Sequence, residues 1–278
     1  MRSFAPSVLV SLALFGCEGS SERSGLVAAD VSALALLQPP VVEDQPNVVL
    51  RAQDWSDIGQ ITGTDDWSGV TGIVGYLGDD TTTTSTIDPS TKVAPLDTSI
   101  DVIANQTATT ITNGGVAEFH LANPTVALQG SGTADAANLV ATVDATGLSG
   151  IRVQYTLRDI DGSADNAIQP IALHWRIGAS GDYTNVPEAF VADASEGPSL
   201  ATLEIPIDVT LPAAVEGASD LRIRVLTGNA SGSDEWIGVD DLRITAANPA
   251  TAAEDSAVGT PVYTAVGTDP EGGGLTWA

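Results

Sequence analysis

The sequence predicts an all-β fold in which antiparallel strands form a two-layer sandwich. Residues 47–245 consist of short stretches in which apolar and polar residues alternate, which is the period of a β-strand. Clusters of Gly, Asp, Asn and Pro separate these stretches, as turns do in all-β domains. The chain of 278 residues is rich in Thr, Gly, Ala and Val and has a single lysine, Lys92, a composition that favours strands and turns over helices.

Four stretches show the alternation most clearly, at residues 151–159, 171–177, 203–211 and 221–227. Each is predicted to be a strand with one face in a common core and the other face in water. Pro206 lies inside the third stretch and has no backbone N–H to donate to a neighbouring strand. That stretch is therefore predicted to be an edge strand.

The last alternating stretch, DEWIGVDDLRIT, changes phase in its middle. Ile237 and Val239 occupy odd positions, whereas Leu242 and Ile244 occupy even ones. A regular strand would turn half of them to water. One extra residue restores the phase, so the sequence predicts a β-bulge or a local break at Asp240 and Asp241.

The charge of the chain restricts its partners. Thirty-six acidic residues stand against ten basic ones, and the formal net charge is -26. Nucleic acid and anionic lipid surfaces are bound through clusters of basic residues, so we expect neither to be a partner of this segment. The acidity is compatible with saline or calcium-containing surroundings, and at least equally with a simple role in solubility.

The N-terminus has the features of an export signal. Arg2 precedes an apolar run that is too short to span a bilayer and has the length of a secretory signal. The run ends in LFGC, which resembles the lipobox of bacterial lipoproteins. This resemblance implies that residues 1–17 are a signal peptide and that Cys17 is lipidated, so that the exported protein contacts the outer membrane or cell surface through a lipid anchor only. The alternative is a secretory signal with an incidental cysteine. Residues 18–46, which follow the signal, are predicted to be a flexible linker.

The loop sequence RDIDGSADN raises the question of calcium. An EF-hand loop needs a glycine at its sixth position and a glutamate at its twelfth, but Ala164 and Pro170 stand there. Two interpretations remain. Either Asp159, Asp161 and Asp165 converge on a calcium ion, or they stabilise an acidic turn between two strands, which is the favoured interpretation.

Three stretches together, VQYTLRDIDGSADNAIQPIALHWRIG, FVADASEGPSLATLEIPIDVTLPAA and DEWIGVDDLRIT, resemble a β-sandwich accessory domain of secreted and surface bacterial proteins. Such domains often precede endonuclease/exonuclease/phosphatase-like domains. The resemblance implies a jelly-roll or concanavalin-like sandwich over residues 47–246. It also makes Asp240 and Asp241 candidates for a structural calcium site, the alternative being charges that protect an exposed strand edge.

Residues 247–278 resemble the opening of a cadherin-like (Ig-like) repeat, in which an early glutamate and a later acidic pair help to bind calcium. The matching positions are Glu254, Asp269 and Glu271. The acidic linker that precedes such repeats is missing here, which lowers the expected affinity. The sequence ends after about two strands of this repeat, so we expect the chain to be a fragment of a longer protein.

The sequence contains no set of residues that indicates catalysis. His120 and His174 are the only histidines, and His174 is predicted to face solvent because it lies on the polar face of its strand. No catalytic motif is present. Trp55 and Trp67 lie in Asp-rich surroundings, where they either form a sugar-stacking platform or are buried in the sandwich, which is the favoured interpretation.

Three functions are compatible with these observations. The leading hypothesis is a non-catalytic cell-surface module for adhesion to a glycan or protein partner, associated with calcium. The first alternative is an accessory domain of an extracellular phosphoesterase or nuclease. The second alternative is a lectin-like carbohydrate-binding module that uses Trp55 or Trp67.

Overall fold

The computed structural model describes residues 47–79, 85–160, 167–195, 203–231 and 234–247. Several predicted sites lie outside these residues, as do the predicted signal peptide, the linker and all but the first residue of the cadherin-like segment. The predicted site residues in question are Cys17, Asp161, Asp165, Glu254, Asp269 and Glu271.

The described residues form two β-sheets, and they contain no α-helix. The strands of the first sheet are β1 (Val48–Gln53), β3 (Ile103–Gln106), β4 (Gly115–Phe119), β5 (Thr125–Gln129), β7 (Ser149–Asp159), β10 (Glu204–Thr210) and β12 (Ile237–Ala247). The strands of the second sheet are β2 (Ile73–Tyr76), β6 (Asn138–Val143), β8 (Ile171–Ile177), β9 (Thr184–Asn185) and β11 (Leu221–Thr227). Short 3-10 turns lie at Pro89–Thr91, Pro187–Ala189 and Ala213–Val215.

The strand order of the first sheet is β10-β7-β12-β5-β4-β3, with β1 paired to the second half of β12. The order of the second sheet is β2-β6-β11-β8-β9. The named strands pair antiparallel except β3 and β4, which are parallel. This architecture confirms the predicted all-β sandwich.

The inner faces of the two sheets form one apolar core. Ile151, Val153, Tyr155 and Leu157 of β7 all point into it, as the alternation in their strand predicts. The matching residues of β8 and β11 come from the second sheet and meet them there. Burying this apolar area is the main stabilising contribution to the fold.

Two local predictions are confirmed. The pairing of β12 with β7 shifts register between Asp240 and Arg243, which is the predicted bulge, and Asp241 adopts a left-handed backbone with a φ of 51°. Pro206 lies in β10, and β10 is an outer strand of the first sheet, as its missing N–H predicts.

The prediction that each strand has one wet face is wrong for the second sheet. Residues 87–97 cross its outer face and cover the polar side of β8 and β11. Arg224 at the centre of β11 is fully buried there, and it donates to the backbone oxygens of Lys92 at 2.5 Å and of Ala94 at 3.0 Å. Covering this face lets buried backbone carbonyls find donors, which offsets the cost of burying the charge.

His174 is part of the same covered face, so the prediction that it faces solvent is also wrong. Its ring is fully buried, and Arg224 donates to its Nδ1 at 2.8 Å. Burial, followed by the nearby charge of Arg224, lowers the pKa of His174 to about 3. The ring is therefore neutral at neutral pH.

Tyr183 and Asp97 complete this buried cluster. The ring of Tyr183 lies between two guanidinium groups, 4.2 Å from that of Arg176 and 3.9 Å from that of Arg224. Asp97 accepts a hydrogen bond from Arg176 at 2.7 Å.

No helix among the described residues has the length and apolarity needed to cross a membrane.

Candidate ligand-binding groove

A groove of about 510 Å³ runs along the side of the sandwich where β10 ends the first sheet and β9 ends the second. Its volume is in the range of ligand-binding clefts. One wall comes from β8, β9 and the turn at Pro187–Ala189, and the other from β10 and the residues after it. The lining residues are Trp175, Thr184, Asn185, Val186, Pro187, Glu188, Asp208, Val209, Thr210 and Pro212.

Trp175 provides the large aromatic surface of the groove. It belongs to the core-facing phase of β8, and it packs against the main core while remaining partly exposed. Only the two-residue strand β9 lies beyond β8 in its sheet, so the core at this position opens into the groove. The Nε1 of Trp175 makes no hydrogen bond to a described residue. The indole therefore has both an apolar surface and a free donor.

The free edge of β10 supplies backbone groups to the opposite wall. Leu211 N donates to Ile151 O at 2.8 Å, and Asp159 N donates to Leu203 O at 3.3 Å. Because antiparallel pairs alternate, the odd-numbered residues of β10 bond to β7 and the even-numbered ones turn their N–H and C=O outward. Within the described residues, the N–H groups of Asp208 and Thr210 have no acceptor. Both residues line the groove.

The charged side chains of the groove are acidic. Arg152, which faces water, donates through Nε to Asp208 at 2.6 Å and through Nη2 to its second oxygen. This contact lowers the pKa of Asp208. Glu188 is exposed, and it makes no hydrogen bond or ion pair with a described residue. The lining residues that the structure describes include no lysine, arginine or histidine.

A second, more polar pocket of about 450 Å³ lies at Ser85, Thr112, 129–132, Asn229–Ala230 and Asp234. Asp234 Oδ1 accepts a hydrogen bond from the Ala230 backbone at 2.7 Å, and burial raises its pKa. No aromatic residue is among the described residues that line this pocket. Its shape is held by contacts within the chain, such as the bond from Gln129 Nε2 to Asp234 O at 2.7 Å.

Trp55 and Trp67, the predicted sugar-stacking residues, are both buried in the main core. They are 4% and 6% exposed, and their rings meet edge to face with centroids 6.3 Å apart. Trp55 Nε1 donates to Val239 O at 2.8 Å, and Trp67 Nε1 donates to Asp101 O at 3.1 Å. The structure thus shows the favoured interpretation, burial, and leaves neither ring face available to a sugar.

Three of the predicted calcium ligands, Asp159, Asp240 and Asp241, lie within the described residues, and the carboxylate of Asp240 is bound by groups of the chain itself. Asp240 is 1% exposed, and its Oδ2 accepts from Arg158 at 2.7 Å and from Asn123 at 3.1 Å, while its Oδ1 accepts from the Asp241 backbone. Burial raises the pKa of Asp240. Asp159 is buried elsewhere on the ladder, opposite Ile237.

The alternative role of Asp240 and Asp241, protection of a strand edge, is wrong because β12 lies inside its sheet. Across the described ranges, no group of three or more His, Cys, Asp or Glu side chains is arranged to hold a metal ion.

The second histidine, His120, lies beside a carboxylate. Its Nε2 is 3.2 Å from Glu118 Oε2, without the geometry of a hydrogen bond. Glu118 Oε2 instead accepts from the Asn105 backbone at 3.0 Å.

The sequence does not mark the groove, because the main residue of the groove follows the pattern of a core residue. Trp175 has the phase of a buried residue, and only the small size of β9 leaves it partly exposed. The sequence has one weak signal for this. The segment GASGDYTNVPE, which follows β8, has too few alternating residues to make a long covering strand.

No protein-family model and no curated protein matches the chain. Among solved structures, it is similar to a xylan-binding domain from Paenibacillus barcinonensis, with 12% identity, 75% of this chain and 100% of that chain covered, and a TM-score of 0.38. A cleaved adhesin domain of Lys-gingipain from Porphyromonas gingivalis w83 is 12% identical, with 72% of this chain and 99% of that chain covered and a TM-score of 0.36. A cyclase from Fischerella sp. TAU is 13% identical, with 74% of this chain and 100% of that chain covered and a TM-score of 0.39. Similarity at this level assigns no function to this chain.

Proposed function

We propose that the sandwich is a non-catalytic binding module that holds a carbohydrate chain in the edge groove. The observation that carries the proposal is the partly exposed indole of Trp175 beside unpaired hydrogen-bonding groups. Sugars combine apolar C–H faces with hydroxyl groups that donate and accept. An aromatic surface next to free donors and a carboxylate is complementary to both features.

The free edge of β10 also raises the possibility of an extended peptide that adds a strand. Pro206 interrupts the outward donors of this edge, so only Asp208 and Thr210 offer N–H groups to a partner strand beyond it. Two donors give a short ladder, and a peptide would leave the Trp175 donor unused. The combination of groups therefore favours a sugar over a peptide.

The wider setting of the module remains a set of predictions. We propose that the protein is exported and attached to the cell surface through Cys17, and that it uses the sandwich for adhesion. Calcium binding by Glu254, Asp269 and Glu271 also stays a prediction. Calcium titration of the full chain checks it, and a flat titration with an unchanged melting temperature would contradict it.

The test of the function is isothermal titration of the chain with cellohexaose, xylohexaose, mannohexaose and galactohexaose. At least one of these neutral chains is expected to bind, and Trp175→Ala is expected to weaken binding about tenfold or more because the stacking surface is lost. Trp55→Phe is the matched control, since it removes an indole from the core and not from the groove. The proposal fails if none of the sugars binds, or if folded Trp175→Ala binds as the unchanged chain does.

A further inference from the structure

We infer that the groove selects uncharged glycan chains and excludes acidic ones, such as polyuronates, and that Glu188 is the residue that sets this selectivity. The inference rests on the carbohydrate-binding function proposed above. It adds the chemical class of the ligand and a specificity-determining side chain.

Glu188 is held at the rim of the groove by a fixed turn. Val186 N donates to Leu173 O at 2.8 Å, which ties the turn to β8, and Ala189 N donates to Val186 O at 3.1 Å. Val186 and Ala189 are buried on either side of it, whereas Glu188 itself is exposed. The packing of Val186 and Ala189 in the core therefore fixes the position of the Glu188 backbone.

The carboxylate of Glu188 is free to meet a ligand, because no described residue forms an ion pair or hydrogen bond with it. Its two oxygens are acceptors only, so they suit neighbouring hydroxyl groups of a sugar ring. A carboxylate or sulfate on the sugar would bring a like charge to the same place. Within a partly enclosed groove, such repulsion is stronger than in bulk water.

Among the described residues that line the groove, no lysine, arginine or histidine is present to compensate an acidic sugar. Arg152 contacts the β10 wall at Asp208, and both oxygens of Asp208 already bind it. On the second sheet, Arg176 is buried against Asp97 on the opposite face of β8. His174, next to Trp175 in the strand, is buried and neutral. The net charge of -26 adds a long-range repulsion of the same sign.

The test compares a neutral chain that binds in the panel above with hexagalacturonate, each at low and at high salt. The unchanged chain is expected to bind the neutral sugar with little salt dependence and to bind hexagalacturonate at least about tenfold more weakly at low salt. Glu188→Gln is expected to reduce this discrimination several-fold. Glu204→Gln is the matched control, because it makes the same charge change on an exposed residue of β10 outside the groove lining.

The outcomes separate the two proposals. Equal binding of neutral and acidic chains by the unchanged protein would overturn the selectivity while leaving the carbohydrate-binding function in place. The same holds if Glu188→Gln discriminates as strongly as Glu204→Gln does. If no neutral sugar binds at all, the proposed function fails, and the selectivity fails with it.

Discussion

Asp97 is the residue on which the buried charges of the second sheet depend. It lies 2.7 Å from Arg176 and 3.8 Å from Arg222, and the side chain of Arg176 is only 2% exposed. A buried guanidinium without a counter-ion is costly, because water cannot reach it. In this position the single carboxylate offsets a charge that the core cannot otherwise accommodate.

We therefore expect Asp97→Ala to lower the free energy of unfolding by about 3–5 kcal/mol. Asp220→Ala is the matched control. Asp220 meets Arg222 at 3.2 Å in a more exposed pair, so its loss should cost less than about 1 kcal/mol. Urea denaturation measures both values. Equal costs for the two variants would show that the buried pair has no special weight.

Asp101 gives the fold a pH dependence. Burial raises its pKa to about 6, although its Oδ2 accepts from the Val116 backbone at 2.6 Å and this bond acts in the opposite direction. The charge of Asp65 nearby raises the pKa further. Since the folded pKa lies above the ordinary aspartate value of 3.8, the fold favours the protonated form.

The contribution of Asp101 to stability is thus fully present below pH 3.8 and is lost as the pH rises through about 6. We expect Asp101→Asn, which stays neutral and keeps an acceptor for Val116 N, to lose less stability than the unchanged chain between pH 4 and pH 7. Chemical denaturation across this range measures it. If the free energies of unfolding of the two proteins change in parallel with pH, Asp101 is not the source of the pH dependence.

Strand β10 ends the first sheet, and its free edge could pair with another copy of the chain. Its even-numbered residues turn their backbone groups outward, and Pro206 removes one of the outward donors. Edge strands that keep a full row of donors pair with other copies. The proline therefore interrupts the edge while leaving the bonds to β7 intact, because those come from odd-numbered residues.

We expect Pro206→Val to fold and to self-associate at high salt, where the repulsion from the net charge of -26 is screened. Pro212→Val, outside the strand, serves as the control and should remain as monodisperse as the unchanged chain. Light scattering at increasing protein concentration detects the difference. A monodisperse Pro206→Val would mean that another feature blocks the edge.

Strand-level features were predictable where one local pattern decides them. The alternation of Ile151 to Leu157 placed β7, the proline placed the edge, and the change of phase after Val239 placed the bulge. The covered outer face was not predictable, because residues 87–97 have no pattern that marks them as a cover. Arg224 and His174 are polar residues in their strands, and the groups that accommodate the buried guanidinium of Arg224, the backbone oxygens of Lys92 and Ala94 and the ring of Tyr183, are distant in sequence.

At the scale of the whole molecule, most of the large aromatic residues lie in the core and Trp175 lies at an open edge. Trp55, Trp67 and Tyr155 fill the interior, so the aromatic residues that composition offers for binding are mostly used for packing. The open side between β9 and β10 leaves Trp175 in contact with both the core and solvent. Binding at this edge requires no movement of the sheets, so we expect a preformed site.

The most direct measurement is a crystal structure of the chain grown with the neutral hexasaccharide that it binds most tightly in the panel above. We expect a sugar ring stacked on Trp175 between β9 and β10, with hydroxyl groups bonded to Glu188 and to the free backbone N–H groups of Asp208 and Thr210. A sugar bound in the pocket beside Asp234, or on the outer face of either sheet, would contradict it.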